Sequence, residues 1–277
     1  MPAGPPRVLK IIVAYDGTRY VGWQRQRNGV SIQALLEDAL TPLAHRCPVR
    51  VAGAGRTDAG VHARAQVASC SLSTTLDVDT IQRALNSRLP EDIRVSSVSE
   101  AEPGFHARFS AWRKTYSYNI LNAAVVVPFL RHFVWHVPQP LDLVGMQAAL
   151  LSVCGTHDFR AFQASGAKVS TTVRTVWEAS ILAQSPPRLA GPHGPPLTPD
   201  PASGRLLALR FTGDGFLRHM VRNLVGTVVE IGLGRRDPPH LADALAGGDR
   251  RWAGATAPAL GLVLVSVDYR QGESAQA

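Results

Sequence analysis

Residues 53–60 read Gly-Ala-Gly-Arg-Thr-Asp-Ala-Gly, three glycines in eight residues. Neither a helix nor a strand holds that much glycine in its interior without a penalty. A β-branched run, Val49 to Val51, leads in, and the alternating Val61-His62-Ala63-Arg64-Ala65-Gln66-Val67 leads out. The chain is therefore held to strand, tight turn, strand, with one acid, Asp58, placed in the turn two residues after Arg56. The small neighbours leave room for a large group to approach that carboxylate. A guanidinium in reach favours the charged form of an acid, and an ionised carboxylate in an uncrowded turn is a candidate nucleophile. The alternative is that Asp58 only closes the turn through its side chain, as Asp commonly does.

The surrounding pattern predicts an α+β layout. Val8 to Tyr15 reads as a strand ended by Asp16-Gly17, and Ser31 opens a helix with Ile32, Leu35, Leu36, Ala39, Leu40 and Leu43 on one face. A second helix carries Ile81, Ala84, Leu85 and Leu89 and is stopped by Pro90; Ile93 to Val98 is strand-like. Near residue 105 the pattern restarts. Trp112–Leu121 is a strand, and Asp142 caps a helix bearing Leu143, Met146, Leu150 and Leu151. Thr172–Leu182 and Leu206–Phe211 are strands. Between these last two, residues 184–204 are packed with Pro and Gly, which supply neither ladder donors nor core side chains, so they read as a surface loop. A long helix begins at Phe216 and carries Met220, Asn223, Leu224, Thr227, Val228 and Ile231. Another runs from Pro238-Pro239 to Gly247-Gly248, and Leu262–Val267 is a last buried strand. The expected fold is two α/β subdomains, residues 1–104 and 105–277, with mostly antiparallel sheets flanked by helices.

Charge points to the partner. The formal net charge is +8 with a pI near 10.0, and arginine dominates the cations, with lysine only at positions 10, 114 and 168. Arginine suits phosphate and can stack on bases, so a polyanion, nucleic acid first, is the expected partner; a basic, GC-biased proteome would give the same composition. Cys47, Cys70 and Cys154 form no CxxC or Cys/His ligand spacing, which argues against zinc and against a disulfide framework. The absence of GxGxxG after a strand and of a Walker A pattern leaves a nucleotide cofactor no foothold. With no apolar signal region and no stretch of membrane-spanning length, a soluble cytoplasmic protein is expected.

At this density of motifs the chain resembles a known family. Gly55-Arg56-Thr57-Asp58-Ala59-Gly60-Val61-His62 resembles the signature of the TruA family of tRNA pseudouridine synthases. Further blocks follow in the family's order. They are Tyr15-Asp16-Gly17 with Gly22-Trp23-Gln24-Arg25-Gln26, then Phe105-His106-Ala107-Arg108-Phe109-Ser110-Ala111 with Tyr116-Ser117-Tyr118, and Gly155-Thr156-His157-Asp158-Phe159 with Arg174-Thr175-Val176. The last two are Phe216-Leu217-Arg218-His219-Met220-Val221-Arg222-Asn223 and Gly261-Leu262-Val263-Leu264. The resemblance implies the pseudouridine synthase fold and isomerisation of uridine at positions 38, 39 and 40 in the anticodon stem-loop of tRNA. It also implies a homodimer that needs neither metal nor organic cofactor, and it makes Asp58 the nucleophile.

The other site residues carry two readings each. Arg56 either pairs with Asp58 or contacts a phosphate on the rim. Arg222, one turn from Arg218, is either a second partner for the acid or part of a basic stripe. Tyr116 is the expected stacking platform for a flipped uridine, with Tyr118 the lesser choice, and its hydroxyl could assist removal of the C5 proton. Leu262 would form an apolar wall against the base. His62, His106 and His219 have no HExxH-type spacing and suit RNA contact or structural hydrogen bonds. Arg25, Arg27, Arg64, Arg108, Arg113 and Arg131 are expected to grip phosphates. Two other functions compete: a non-catalytic tRNA-binding or tRNA-folding protein, which would need no nucleophile, and an N-glycosidic hydrolase, which usually needs a second acid.

Overall fold

The computed structural model describes residues 6–45, 47–126, 128–164, 166, 169–184 and 204–270. Among them are ten strands and five α-helices. By contact the chain divides into two compact units: residues 1–114 with 263–277, and residues 115–262.

The first unit is built on four strands in the order β4-β1-β3-β10. They are β1 (Pro6–Tyr15), β3 (His62–Ser73), β4 (Ile93–Glu100) and β10 (Leu262–Tyr269), the last of which enters from the second unit at residue 262. β1 pairs antiparallel with β3 and β4, β10 lies parallel to β3, and the short β2 (Ala52–Gly53) adds antiparallel to β3. Leu9, Ile11 and Val13 alternate along β1 and are fully buried, the period-2 pattern of a strand with one core face. Helix α1 (Ile32–Leu40) is capped by Ser31, whose side chain accepts the Ala34 N–H. It ends short of Leu43 because Pro42 cannot donate to the helical ladder and clashes with the carbonyl a turn back, so residues 41–44 tighten into a 3-10 turn. Helix α2 (Val78–Arg88) is capped by Asp77 and buries Ile81 and Leu85. Ile32, Leu36, Leu40, Ile81 and Leu85 are fully buried, and each such side chain contributes roughly 1.5–3 kcal/mol of hydrophobic stabilisation.

The contact division and the pattern restart at residue 105 lie ten residues apart for a physical reason. The Phe105 ring meets Tyr269 of β10 at 5.0 Å, Tyr269 Oη donates to Ala107 O, and Ala107 N–H donates to Ser69 Oγ of β3. These contacts tie residues 105–107 to strands of the first unit.

The second unit has the order β5-β9-β8-β7, with β6 (Trp135–His136) parallel to β5 (Ala111–Asn122). β8 (Val173–Gln184) and β9 (Arg205–Gly213) form an antiparallel hairpin in which Gln184 faces Leu206; residues 185–203 of the expected Pro/Gly-rich loop lie outside the described residues. β7 (Gly155–Asp158) pairs antiparallel with β8. Leu207, Leu209 and Phe211 alternate into the core, and Met146 and Leu150 of α3 (Leu143–Leu151) are fully buried, while Leu151 is exposed. Asp142 caps α3 by accepting the Val144 and Gly145 N–H groups. Helix α4 (Met220–Gly232) starts one turn later than its apolar spacing predicts, because His219 adopts the left-handed region at φ 61°, which no helix interior accommodates. Helix α5 (His240–Gly247) ends at left-handed Gly248. The pairings β1–β3, β1–β4, β2–β3, β7–β8 and β8–β9 are antiparallel, and β3–β10 and β5–β6 are parallel: the fold is the mixed α+β one expected.

Candidate active site

The Asp58 turn spans residues 54–61 between β2 and β3. Val49 and Val51 are buried but lie outside any strand; the two residues Ala52 and Gly53 form the ladder instead. The turn closes on itself through the Val61 N–H, which donates to Asp58 O at 3.1 Å, and Gly60 takes φ 77°, a conformation that favours glycine. A preceding loop grips it from outside. Trp23 N–H donates to Thr57 O at 3.0 Å and Gly60 N–H to Tyr20 O at 3.3 Å. Gly22 permits this approach: its φ is +100° and a Cβ there would stand 2.5 Å from Thr57 O. Thr57 is buried, Asp58 half-buried and Ala59 exposed, so the acid lies where a held backbone meets solvent.

Arg56 shares this turn but is exposed and makes no ion pair among the described residues. His62, at the start of β3, is 3% exposed and accepts the Gly17 N–H through Nδ1. Among the described residues no group of three His, Cys, Asp or Glu could hold a metal.

The other expected site residues belong to the second unit. Tyr116 lies in β5, buried, with its ring edge-on to Phe216 at 5.3 Å. Tyr118, two residues on, is fully buried and donates its hydroxyl to Pro258 O at 2.7 Å; burial pushes that hydroxyl well up from its ordinary pKa. Tyr118 is therefore committed to the core. Arg222, half-buried in the first turn of α4, donates through Nε to Ala257 O at 2.7 Å and accepts the Ala257 N–H with its own carbonyl. The supposed Arg218–Arg222 helical stripe is not formed, since Arg218 precedes the helix and its left-handed cap. Leu262 opens β10 and is buried. Just before it, Gly261 lies against the Tyr118 ring, where a Cβ would come within 2.7 Å. Residues 257–261 are thus pinned to both α4 and β5, and this fixes the approach to Leu262.

The basic residues divide. Arg27, Arg64, Arg108 and Arg131 are exposed. Arg25 is tied to Glu37 and Asp38 at 2.8 Å each, and Arg113 lies over the Trp112 ring at 4.3 Å. Sequence reasoning missed the side chains beneath the turn: Tyr15, whose hydroxyl lies 2.8 Å from Thr57 Oγ1, and Gln66, whose amide donates to Gly55 O. Tyr15 stood in a recognised block and Gln66 in the alternating run, but a buried polar partner has no one-dimensional signal. A cavity of about 320 Å³ beside α1 is lined by Leu35, Asp38, Ala39, Arg88 and Leu89 and by none of the site residues.

Comparison with known proteins gives one consistent result. A family described as tRNA pseudouridine synthase matches residues 11–110 and 149–270. A tRNA pseudouridine synthase A of Pelobacter propionicus is 42% identical over 95% of this chain and 100% of its own length. Another, from Thermoanaerobacter sp., is 39% identical over 95% and 100%; one from Oleidesulfovibrio alaskensis is 43% identical over 94% and 96%.

Proposed function

The chain belongs to the tRNA pseudouridine synthase family, an isomerase that converts uridine to pseudouridine in tRNA, and from that premise we propose that Asp58 is its nucleophile and that it acts at positions 38, 39 and 40 of the anticodon stem-loop. The observation that carries this reading is the Asp58 turn itself: a single carboxylate at the solvent edge of a backbone gripped at Thr57 and Gly60. The reaction breaks the N1–C1′ bond, turns the uracil and joins C5 to C1′; the C5 proton leaves and N1 takes one up. No electrons are gained or lost, so a nucleophile, a stacking surface and a closed pocket suffice. Asp58 forms the covalent bond that holds the nucleoside while the base turns; C1′ and the base itself are both open to its attack.

A paired, stacked uridine presents neither face to a carboxylate and must be flipped out, at a cost of a few kcal/mol. Tyr116 is the platform that receives it. Its place in the Tyr116-Ser117-Tyr118 block supports this, and the T-shaped contact with Phe216 braces the ring. In this reading Leu262 supplies an apolar wall for the base, Arg222 is a second partner for the acid, and Arg56 takes a phosphate. The enzyme works as a cytoplasmic homodimer without cofactor.

Tritium release from C5-labelled uridine in tRNA tests the assignment. Wild-type protein releases label; Asp58→Asn releases none and keeps tRNA binding within about twofold, since carboxylate and amide fill equal space. Release at the wild-type rate by that variant would overturn the nucleophile. Tyr116→Phe keeps stacking and binding but turns over more slowly; an unchanged rate would remove any role for its hydroxyl. A tRNA-binding protein without catalysis would release no label at all, and a hydrolase would yield free uracil. Mapping pseudouridine in tRNA from cells lacking the protein decides the positions, and sedimentation decides the dimer.

A further inference from the structure

Beneath the Asp58 turn lies a buried polar cluster with no part in the chemistry just described. Tyr15, Thr57 and Gln66 are 4%, 6% and 0% exposed. Tyr15 Oη and Thr57 Oγ1 are 2.8 Å apart. Gln66 Nε2 stands 3.5 Å from Tyr15 Oη and donates to Gly55 O at 2.9 Å. Burying two hydroxyls and an amide is costly unless they bond one another, and apolar side chains of like size would fill the same space without that demand. Gln66 pairs with Val13, two residues before Tyr15 on β1, so the register between β1 and β3 sets the Tyr15 and Gln66 side chains on one face of the sheet.

The cluster's bonds end on two residues of the signature, Gly55 and Thr57, and Thr57 is the residue immediately before Asp58. Its side chain is held from below by Tyr15, and its carbonyl is held from outside by the Trp23 N–H at 3.0 Å. Thr57 is thus held at both its hydroxyl and its carbonyl, which restrains the backbone leading into Asp58.

We propose that Tyr15, Thr57 and Gln66 are positioning residues for the isomerisation: they set the backbone ahead of Asp58 so that its carboxylate meets the flipped uridine in a single geometry. This rests on the reading of Asp58 as the nucleophile. A misplacement of about 1 Å, caused away from the chemistry, can lower a rate by roughly a hundredfold. The brace acts on kcat and leaves tRNA affinity alone, because none of its three side chains reaches the surface.

The test measures kcat and KM for pseudouridine formation in a tRNA transcript, together with tRNA binding and thermal melting. The proteins are wild type, Tyr15→Phe, Thr57→Val, Thr57→Ser, the Tyr15→Phe/Thr57→Val pair and Asp58→Asn. Expected are falls in kcat of about 10- to 100-fold for Tyr15→Phe and Thr57→Val with KM within about twofold. Thr57→Ser, which keeps the hydroxyl, recovers most of that loss. The double variant is no worse than the weaker single, since both remove one bond. The inference is overturned if Tyr15→Phe and Thr57→Val keep wild-type kcat while Asp58→Asn is inactive. It is equally overturned if the loss appears in KM, or if Thr57→Ser is as damaged as Thr57→Val. Should Thr57→Val not fold, Tyr15→Phe decides by its own kcat. Wild-type turnover by Asp58→Asn would instead remove the nucleophile, and the positioning role with it.

Discussion

Burial of Tyr15 pushes its hydroxyl up to about 12, against the pull of its bonds to Thr57 and Gln66. The direction fixes a pH dependence. A raised folded-state value means the stability is whole below the unfolded tyrosine value, about 10, and is lost as pH rises from there through 12. Tyr20, Tyr118 and Tyr269 are raised as well, chiefly by burial, so urea melts should weaken steeply above about pH 10. Tyr15→Phe should be less stable than wild type at neutral pH but show a shallower alkaline decline; parallel curves would refute the assignment. Asp158 works at the acid end, held down to about 2 first by Arg160, then by Thr172. Its contribution is present above the unfolded value, about 4, and is lost as pH falls through 2. Arg160 is open to solvent, which screens the pair, so its worth is small. Asp158→Asn should therefore lower stability slightly at pH 7 and not at pH 2; an equal deficit at both would show a packing effect.

At the scale of elements, glycine in α4 shows how a helix can be chosen for approach at the expense of propensity. A Cβ on Gly226 would stand 1.7 Å from Ala255 O. By propensity alone Gly226→Ala should gain up to about 1 kcal/mol; against backbone it should instead lose about 1–3 kcal/mol, as overpacking does. Chemical denaturation gives the sign, and a gain would mean that residues 254–257 can yield. The same segment receives Arg222 at Ala257, so the fit of α4 bears on the site. Helices α1, α2, α3 and α5 were legible because period, caps and stops coincide at Ser31, Pro90, Asp142 and Gly248. The start of α4 was misplaced by its apolar spacing, since nothing in one dimension marks His219 as left-handed. β6 and β7 were not foreseen: two and four residues are too few to show alternation. The register that brings Gln66 to Tyr15 was equally invisible, because it exists only between two paired strands.

Over the whole molecule, a charge of +8 sets the terms of binding. With Arg25 turned to Glu37 and Asp38, the exposed Arg27, Arg56, Arg64, Arg108 and Arg131 remain for phosphates. If about five phosphates are neutralised, tRNA affinity should fall as roughly the fourth to fifth power of salt concentration; a flat salt response would remove the phosphate grip. No helix among the described residues is long and apolar enough to cross a membrane. By itself the sequence determined the alternation of strands and helices, the turn around Asp58, the basic character and the family, because periodicity, glycine clusters and ordered motifs are properties of a chain read in one dimension. It could not decide that Arg56 stands exposed and unpaired among the described residues, that Arg25 is taken by acids or that Tyr118 is bound into the core. Nor could it reveal that the turn rests on Tyr15 and Gln66. Each of these depends on which atoms meet across distant segments, and burial, register and hydrogen-bond partners exist only once the tertiary structure has brought them together.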